Sequence, residues 1–399
     1  MDDRRKITGD TRKLLFLSIL YGLSGMLAAK FINIFLMRTM DNIMLVIGKN
    51  MLFALITLVS FLIGTRLLSK ISVTSVLKIG VGLILIYYGM LLLLGPWLHI
   101  LIVPLGMVNG LGNGFYWCAF NVLLARLATD ENRGQFFGLQ KVFNNGLGIF
   151  IPTVAGFVIV SFTDFTGYYF LFGSAILLLV ATLLLTSRIT GFKSDKQLNP
   201  LPVLKVKQNI YWKTNVWYSI CWGFGGNIFM QTFTLFAFAI TASELRIGNY
   251  SSMMAVVSLL SAIWVTKKIR PQNRKQVHLT GTIVYASVLA SLAIFANELA
   301  LIVAFLGVGA VQSWGMNISQ SVKFQLVTLA EGDFTREEYL AAAEFPLALG
   351  RILGLTTALV MTVIFPLTTA YRILMVICGL CWIVDHLIVQ KHIQWFKTT

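Results

Sequence analysis

The sequence predicts an all-α integral membrane protein of twelve transmembrane helices, arranged as two pseudo-symmetric six-helix bundles. Three observations carry that prediction. First, 57% of the 399 residues are hydrophobic and 12% charged, with a mean hydropathy of +0.79. A soluble domain carries about 25% charged residues. A chain this apolar cannot cover itself with polar surface, so lipid must solvate much of it. Second, its basic residues gather in alternate connections. Third, its residue pattern repeats at a spacing of 201 positions.

A span needs about 20 mainly apolar residues. Segments that meet this requirement run over 14–36, 42–65, 75–94, 96–125, 136–160 and 166–187, and then over 214–240, 248–266, 278–296, 299–328, 339–365 and 371–390. Long spans with short connections argue for helices rather than a barrel, whose strands are short and alternate apolar with polar. The charged stretch from Asp2 to Lys13 leads into a full-length apolar segment. A cleaved signal would have a shorter core and a small-residue cleavage site, so the first span is expected to be retained. The domains expected are a bundle over 1–187, a cytoplasmic linker over 188–212 and a bundle over 213–399.

Lysine and arginine orient the chain. They cluster before the first span (Arg4, Arg5, Lys6), after the second (Arg66, Lys70), in the central stretch (Arg188, Lys193, Lys205) and after the eighth (Lys267, Lys268, Arg270). The opposite connections are nearly bare, with Gly95-Pro96, Asp164 and Glu298. The positive-inside rule then places both termini and the linker in the cytoplasm of a multi-pass cell-membrane protein. Topology thus accounts for the net charge of +16, and nucleic acid is not an expected partner. Lipid and a small solute are, and the chain is expected to be monomeric. Cys118, Cys221, Cys378 and Cys381 all fall in apolar segments, where a thiol packs as a small hydrophobe. The CxxC at Cys378 and Cys381 has no second pair or nearby histidine to complete a metal site. His99, His278, His386 and His392 are scattered. No nucleotide loop or cofactor motif is present, and an enzyme's convergent acid, base or metal set is missing.

The repeat is gapless at its start. Tyr21-Gly22-Leu23-Ser24-Gly25 aligns with Trp222-Gly223-Phe224-Gly225-Gly226, Lys30 with Gln231, and Phe35 with Phe236. The register continues through Thr65-Arg66 on Thr266-Lys267 and Gly80 on Gly281. Two six-span halves that both start on the same side are parallel repeats.

With these residues the chain resembles the major facilitator superfamily over its whole length. The loop after the second span, Gly64-Thr65-Arg66-Leu67-Leu68-Ser69-Lys70, keeps that family's glycine and bases but lacks its aspartate. The fifth span places Gly138, Pro152 and Gly156 where family antiporters carry a glycine-rich run ending at a proline, with Ile151 in place of the glycine before it. The resemblance implies secondary transport by rocking of two halves about a midplane site lined by spans 1, 4, 7 and 10.

Polar residues inside spans are costly and point to function. Met26, Lys30 and Asn33 share one face of span 1, and Asn227, Gln231 and Thr234 take the same places on span 7. Span 4 offers Asn113, Trp117 and Asn121, and span 10 offers Trp314, Asn317 and Gln320. Amides and indoles suit a ligand with an apolar body and several polar handles, and these residues are the expected substrate contacts. Glu344 and Arg351, seven apart on one face and about 10.5 Å apart along the axis, are the expected coupling or gating pair. Lys141, the repeat counterpart of Glu344, and the loop bases Arg66 and Lys70 join them in that role. Lys141 and Lys323 also lie near span ends, where a lysine snorkels outward. Asp385-His386 reads as structural. The glycines at 106, 110, 112 and 114 read as close helix packing rather than a phosphate cradle.

The function expected is a secondary transporter of an anionic or neutral amphipathic solute, coupled to protons and tilted toward export. A multidrug exporter of amphipathic cations and a non-transporting relative with an immunity or sensing role are the alternatives. Reporters fused at Thr399 and within 188–212 are expected to give cytoplasmic signals; an external signal from either would overturn the topology.

Overall fold

The computed structural model describes residues 9–127, 133–193, 200–206, 208–268, 273–311, 314–315, 317–332 and 334–393. They form α1 (Gly9–Met40), α2 (Ile43–Leu67), α3 (Val73–Leu93), α4 (Ile102–Leu127), α5 (Arg133–Ser161) and α6 (Thr166–Thr186) in one compact unit. A second unit holds α7 (Ile210–Thr241), α8 (Glu244–Lys268), α9 (Arg274–Phe295), α10 (Glu298–Val311), α11 (Asn317–Ala330), α12 (Arg336–Ala342), α13 (Glu344–Ile364) and α14 (Leu367–Ile393). The units divide between Leu198 and Asn199.

The repeat extends to element ends. The bounds of α7 and α8 are those of α1 and α2 moved by 201 residues. The turns repeat too. Asp41 and Ala242 both take a left-handed conformation just after their helices, with φ of 48° and 47°. Gly95 and Ala296 do the same, with φ of 38° and 45°. Glycine adopts that region freely, whereas alanine enters it at a cost, so the turn geometry outlasts the residue that favours it. Polar side chains fix the helix starts. Asn42 accepts from the backbone N–H of Met44 and Leu45, Asn209 from Tyr211 and Trp212, and Thr335 forms a capping box with Glu338.

Helix pairing is likewise shared. In the first unit α4 packs on α2 and α3, α6 on α1 and α3, and α5 on α1. In the second α10 packs on α8 and α9, α14 on α7 and α9, and α13 on α7. Small residues set these crossings, because helices in lipid gain little from apolar burial and depend on close contact. Gly110 and Gly114 of α4 lie against the α2 backbone, while Gly112 lies against Gly80 and Ile84 of α3. The alternating glycines therefore serve two neighbours on opposite faces. In the second unit Gly223 of α7 meets the backbone of Leu347 and Arg351, and Gly350 and Gly354 of α13 meet the α7 backbone. Gly138 and Gly146 of α5 have only open space around their α-carbons.

The described helices depart from the expected spans at two places. Ten of the described helical segments are long and apolar enough to cross a membrane. The expected fourth and tenth spans are the exceptions. Asn109, Asn113 and Asn121, with four glycines, interrupt the apolar run of α4. Span 10 divides into α10 and α11, with a π-helical turn at Trp314–Gly315 between them. There the Gly315 backbone presses on the Trp382 ring so closely that a side chain would not fit. The expected span 11 is present as one candidate span, Glu338–Ile364, with a single turn residue at Ala343, where Pro346 has no N–H to offer the Ala342 carbonyl. The described parts of the 188–212 stretch pack against the helices beside them. Phe192 accepts from the Val73 N–H at 2.8 Å, and the Arg126 guanidinium lies 3.8 Å from its ring centre. Lys13 Nζ donates to the Arg188 carbonyl at 2.7 Å, and Asp10 accepts from the Thr190 N–H at 2.9 Å. At the other end Val203 is buried with Trp212, Val327, Ala330 and Tyr339.

Gly350→Leu is expected to lower thermal stability by about 1–3 kcal/mol through overpacking of the α7–α13 contact. Gly138→Ala, which meets nothing, is expected to be neutral or up to about 1 kcal/mol stabilising. Thermal unfolding of the detergent-purified protein distinguishes the two, and an equal response from both variants would contradict the packing account.

Candidate functional site

In the first unit the polar side chains converge between α1, α2 and α4. Tyr21 donates its hydroxyl to Asn113 Oδ1 at 3.1 Å, and Asn113 Nδ2 donates to Asn109 Oδ1 at 2.9 Å. Tyr21 also stacks on Tyr116 with ring centres 3.6 Å apart. Trp117 meets both rings edge-on, at 6.3 Å and 5.3 Å. Trp117 is 44% exposed while Tyr116 is 1% exposed. A buried ring thus braces an indole that presents its face outward from the unit. Asn121, one turn further on, is exposed. These residues form a polar and aromatic surface on one side of α1 and α4, suited to a solute with a flat apolar body.

Lys30 and Asn33 lie further along the same helix. Asn33 accepts from Asn50 Nδ2 of α2 at 3.3 Å. Lys30 is half-buried, and among the described residues no hydrogen bond or carboxylate holds its ammonium. A second lysine inside the unit escaped the sequence reading. Lys49 of α2 is only 4% exposed, and its ammonium lies 5.9 Å from the centre of the Tyr87 ring, a cation–π contact. The signal was present in a lone lysine inside an otherwise apolar span. Across the described helices of this unit the only acidic residue is Asp10, at the first turn of α1. The unit therefore places uncompensated positive charge within its apolar helices.

In the second unit Asn227 and Gln231 of α7 are half-buried, and Asn227 Oδ1 has no hydrogen-bond partner. Trp314 packs against Trp264 with ring centres 5.5 Å apart and planes tilted by 39°, and its indole N–H is also unpartnered. The side chains of Asn317 and Gln320 lie outside those described. Glu344 opens α13 and Arg351 follows two turns later; both act electrostatically on the Lys323 ammonium of α11. Lys323, expected to snorkel from its span end, thus belongs to a three-charge group with Glu344 and Arg351. Arg66 and Lys70 are exposed around the α2–α3 turn, and Lys141 is exposed on α5. Asp385 and His386 of α14, expected to be structural, join His278 of α9 and Ser319 of α11 in a buried hydrogen-bonded chain. Their separation in sequence hid it. No group of residues that could hold a metal occurs among the described residues.

Ten apolar helical segments among the described residues, in two units with the same helix pairing, define a multi-pass membrane protein. The family model of the Major Facilitator Superfamily matches residues 14–331, and the chain belongs to that family. It is 28% identical over 295 residues to the uncharacterised protein YqgE of Bacillus subtilis, covering 72% of this chain and 69% of that one. It is 30% identical over 169 residues to an uncharacterised protein of Geobacillus stearothermophilus, covering 42% of this chain and 79% of that one. Among solved structures its fold is similar to that of the nucleoside transporter NupG, with a TM-score of 0.67 at 13% identity, covering 97% of this chain and 99% of that one. It is also similar to a D-xylose–proton symporter, with a TM-score of 0.65 at 17% identity over 93% and 96% of the two chains. The family's members act on small-molecule solutes in a membrane, and the fold is that of secondary transporters rather than enzymes.

Tyr21→Phe keeps the stack on Tyr116 but removes the donor to Asn113. It is expected to cost about 1 kcal/mol of stability, read by thermal unfolding. No loss would show that the bond does not hold α1 to α4.

Proposed function

We propose that this protein is a proton-coupled secondary transporter that moves a small anionic or neutral amphipathic solute by alternating access, with export favoured. The observation that supports the solute class is charge. The described helices of the first unit carry Lys30 and Lys49 inside their apolar length and, apart from Asp10 at the first turn of α1, no acid. An unpaired ammonium away from water is costly. Its retention is explained if an anionic group of the solute pairs with it during the cycle. The aromatic and amide surface of Tyr21, Asn113 and Trp117 supplies platforms for the apolar part of the same solute. In the second unit Asn227, Gln231 and Trp314, with Asn317 and Gln320, are the proposed substrate contacts. Glu344 and Arg351 act there in gating and coupling. Export rests on Gly138, Pro152 and Gly156 of α5, the partial antiporter pattern. An exporter of cations is disfavoured by the same absence of acids from the first unit's helices.

The test is binding and flux in reconstituted vesicles, screened across solute classes. Lys30→Met is expected to weaken affinity for the transported anion about 10- to 100-fold, as loss of a hydrogen bond between charged groups would. Lys30→Arg should be partly tolerated, because it keeps the charge but changes its shape. Gln231→Ala should cost only a few-fold. Unchanged affinity in Lys30→Met would remove the anionic-solute inference.

A further inference from the structure

The second unit contains a buried chain of four side chains drawn from three helices. His386 Nδ1 lies 2.7 Å from His278 Nδ1. His278 Nε2 lies 2.7 Å from Ser319 Oγ, and Ser319 Oγ donates to Asp385 Oδ2 at 2.8 Å. None of the four is more than 4% exposed. The second carboxylate oxygen, Asp385 Oδ1, is buried and accepts no hydrogen bond.

The chemistry of the groups sets the direction of every bond. An ionised carboxylate only accepts, so the serine hydroxyl must donate to it. Having one hydrogen, Ser319 must then accept from the Nε2–H of His278. In a neutral His278, Nδ1 is left as an acceptor, so the single hydrogen in the contact between the rings belongs to His386 Nδ1. The donors run one way, from His386 through His278 and Ser319 to Asp385.

Such a chain can reverse. A proton that arrives at His386 Nε2 releases the Nδ1 hydrogen to His278 Nδ1. His278 passes its Nε2 hydrogen to Ser319 Oγ, and Ser319 passes its own to Asp385 Oδ2. One proton has been taken up, and the carboxylate has become a neutral carboxyl. All three contacts survive with donor and acceptor exchanged, so no polar atom loses a partner. The buried carboxylate with its unpaired oxygen is relieved of its charge.

We propose that His386, His278, Ser319 and Asp385 form a proton-binding site in the second unit, loaded through His386 and holding its proton on Asp385. This deepens the transporter reading by naming a second proton-carrying group, separate from Glu344. The helices around the chain supply few other ionisable groups that act on it. Lys275 of α9 acts on His386, and Tyr218 and Cys221 of α7 and Cys381 of α14 lie near Asp385. On α11 and α13, Glu344 and Arg351 act on Lys323. The site lies where α9 begins and α14 ends, close to one end of the unit. A proton therefore reaches His386 without crossing the whole unit.

Infrared difference spectra of the full-length protein in lipid nanodiscs, recorded through a pH titration, test the proposal. A carboxyl C=O band is expected to appear as pH falls, to shift in heavy water, to vanish in Asp385→Asn and to persist in Glu344→Gln. After a pH jump, His386→Asn should slow its appearance on the order of 100-fold, the typical contribution of a positioned proton-transfer group. A band that is absent, that survives Asp385→Asn, or that forms at an unchanged rate in His386→Asn overturns the proposal. Asparagine keeps the volume of aspartate and an acceptor oxygen for Ser319. Should it nonetheless unfold the protein, Ser319→Ala breaks the chain while keeping the carboxyl, and unslowed loading in that variant counts against the relay. Because the readout is proton binding, it stands apart from the solute screen. Failure to find a transported solute would sink the transporter reading while leaving this one intact.

Discussion

The structure depends on one constraint, the absence of water from the lipid interior, which obliges every backbone N–H and C=O in a span to bond within the protein. Helices satisfy it locally, and their polar side chains often do so as well. Thr57, Thr182, Thr232 and Thr241 each return their hydroxyl to the carbonyl four residues back. With the backbone satisfied and lipid as apolar as leucine, helix association must draw on contact rather than on escape from water. Glycines at the α2–α4, α3–α4 and α7–α13 crossings provide that contact by letting backbones touch.

Against this background each retained polar group carries a cost, and the two units spend it differently. The first unit places amides, aromatic rings and two lysines along α1, α2 and α4. The second places a group of three charges on α11 and α13 and a hydrogen-bonded chain of two histidines, a serine and an aspartate across α9, α11 and α14. The scaffolds match in the bounds of their first two helices, in turn conformation and in pairing, so much of the difference lies in side chains laid on a common frame. In the proposed reading the lysines of the first unit face the solute's charge and the acids of the second handle protons, while both units contribute substrate contacts.

The turn at Trp314–Gly315 and the break before Glu344 interrupt two helices of the second unit and leave the first unit's helices uninterrupted. Gly315 at the first lies against the Trp382 ring, and Pro346 accounts for the second. Interruptions of this kind free backbone groups and set neighbouring segments at different angles. Glu344 thereby opens α13 while lying near one end of the span Glu338–Ile364.

The sequence by itself determined the class of fold, because membrane spans and their periodicity are properties of local composition. A long apolar run needs no partner to become a helix in lipid. The 201-residue register, from Tyr21 on Trp222 to Gly80 on Gly281, was legible for the same reason, as was the packing role of the glycines in α4. The sequence also pointed to Asn113 and Trp117 as neighbours on one helix face. What it could not show was contact between helices far apart in the chain. Tyr21 reaching Asn113, Lys49 settling over Tyr87 and Lys323 joining Glu344 and Arg351 were decided by tertiary packing. The chain of His278, Ser319, Asp385 and His386 was decided in the same way: its members come from α9, α11 and α14, and a hydrogen bond forms only where packing brings donor and acceptor within about 3 Å. Periodicity along one helix tells which face a residue occupies, but the residue it meets there depends on how the helices cross.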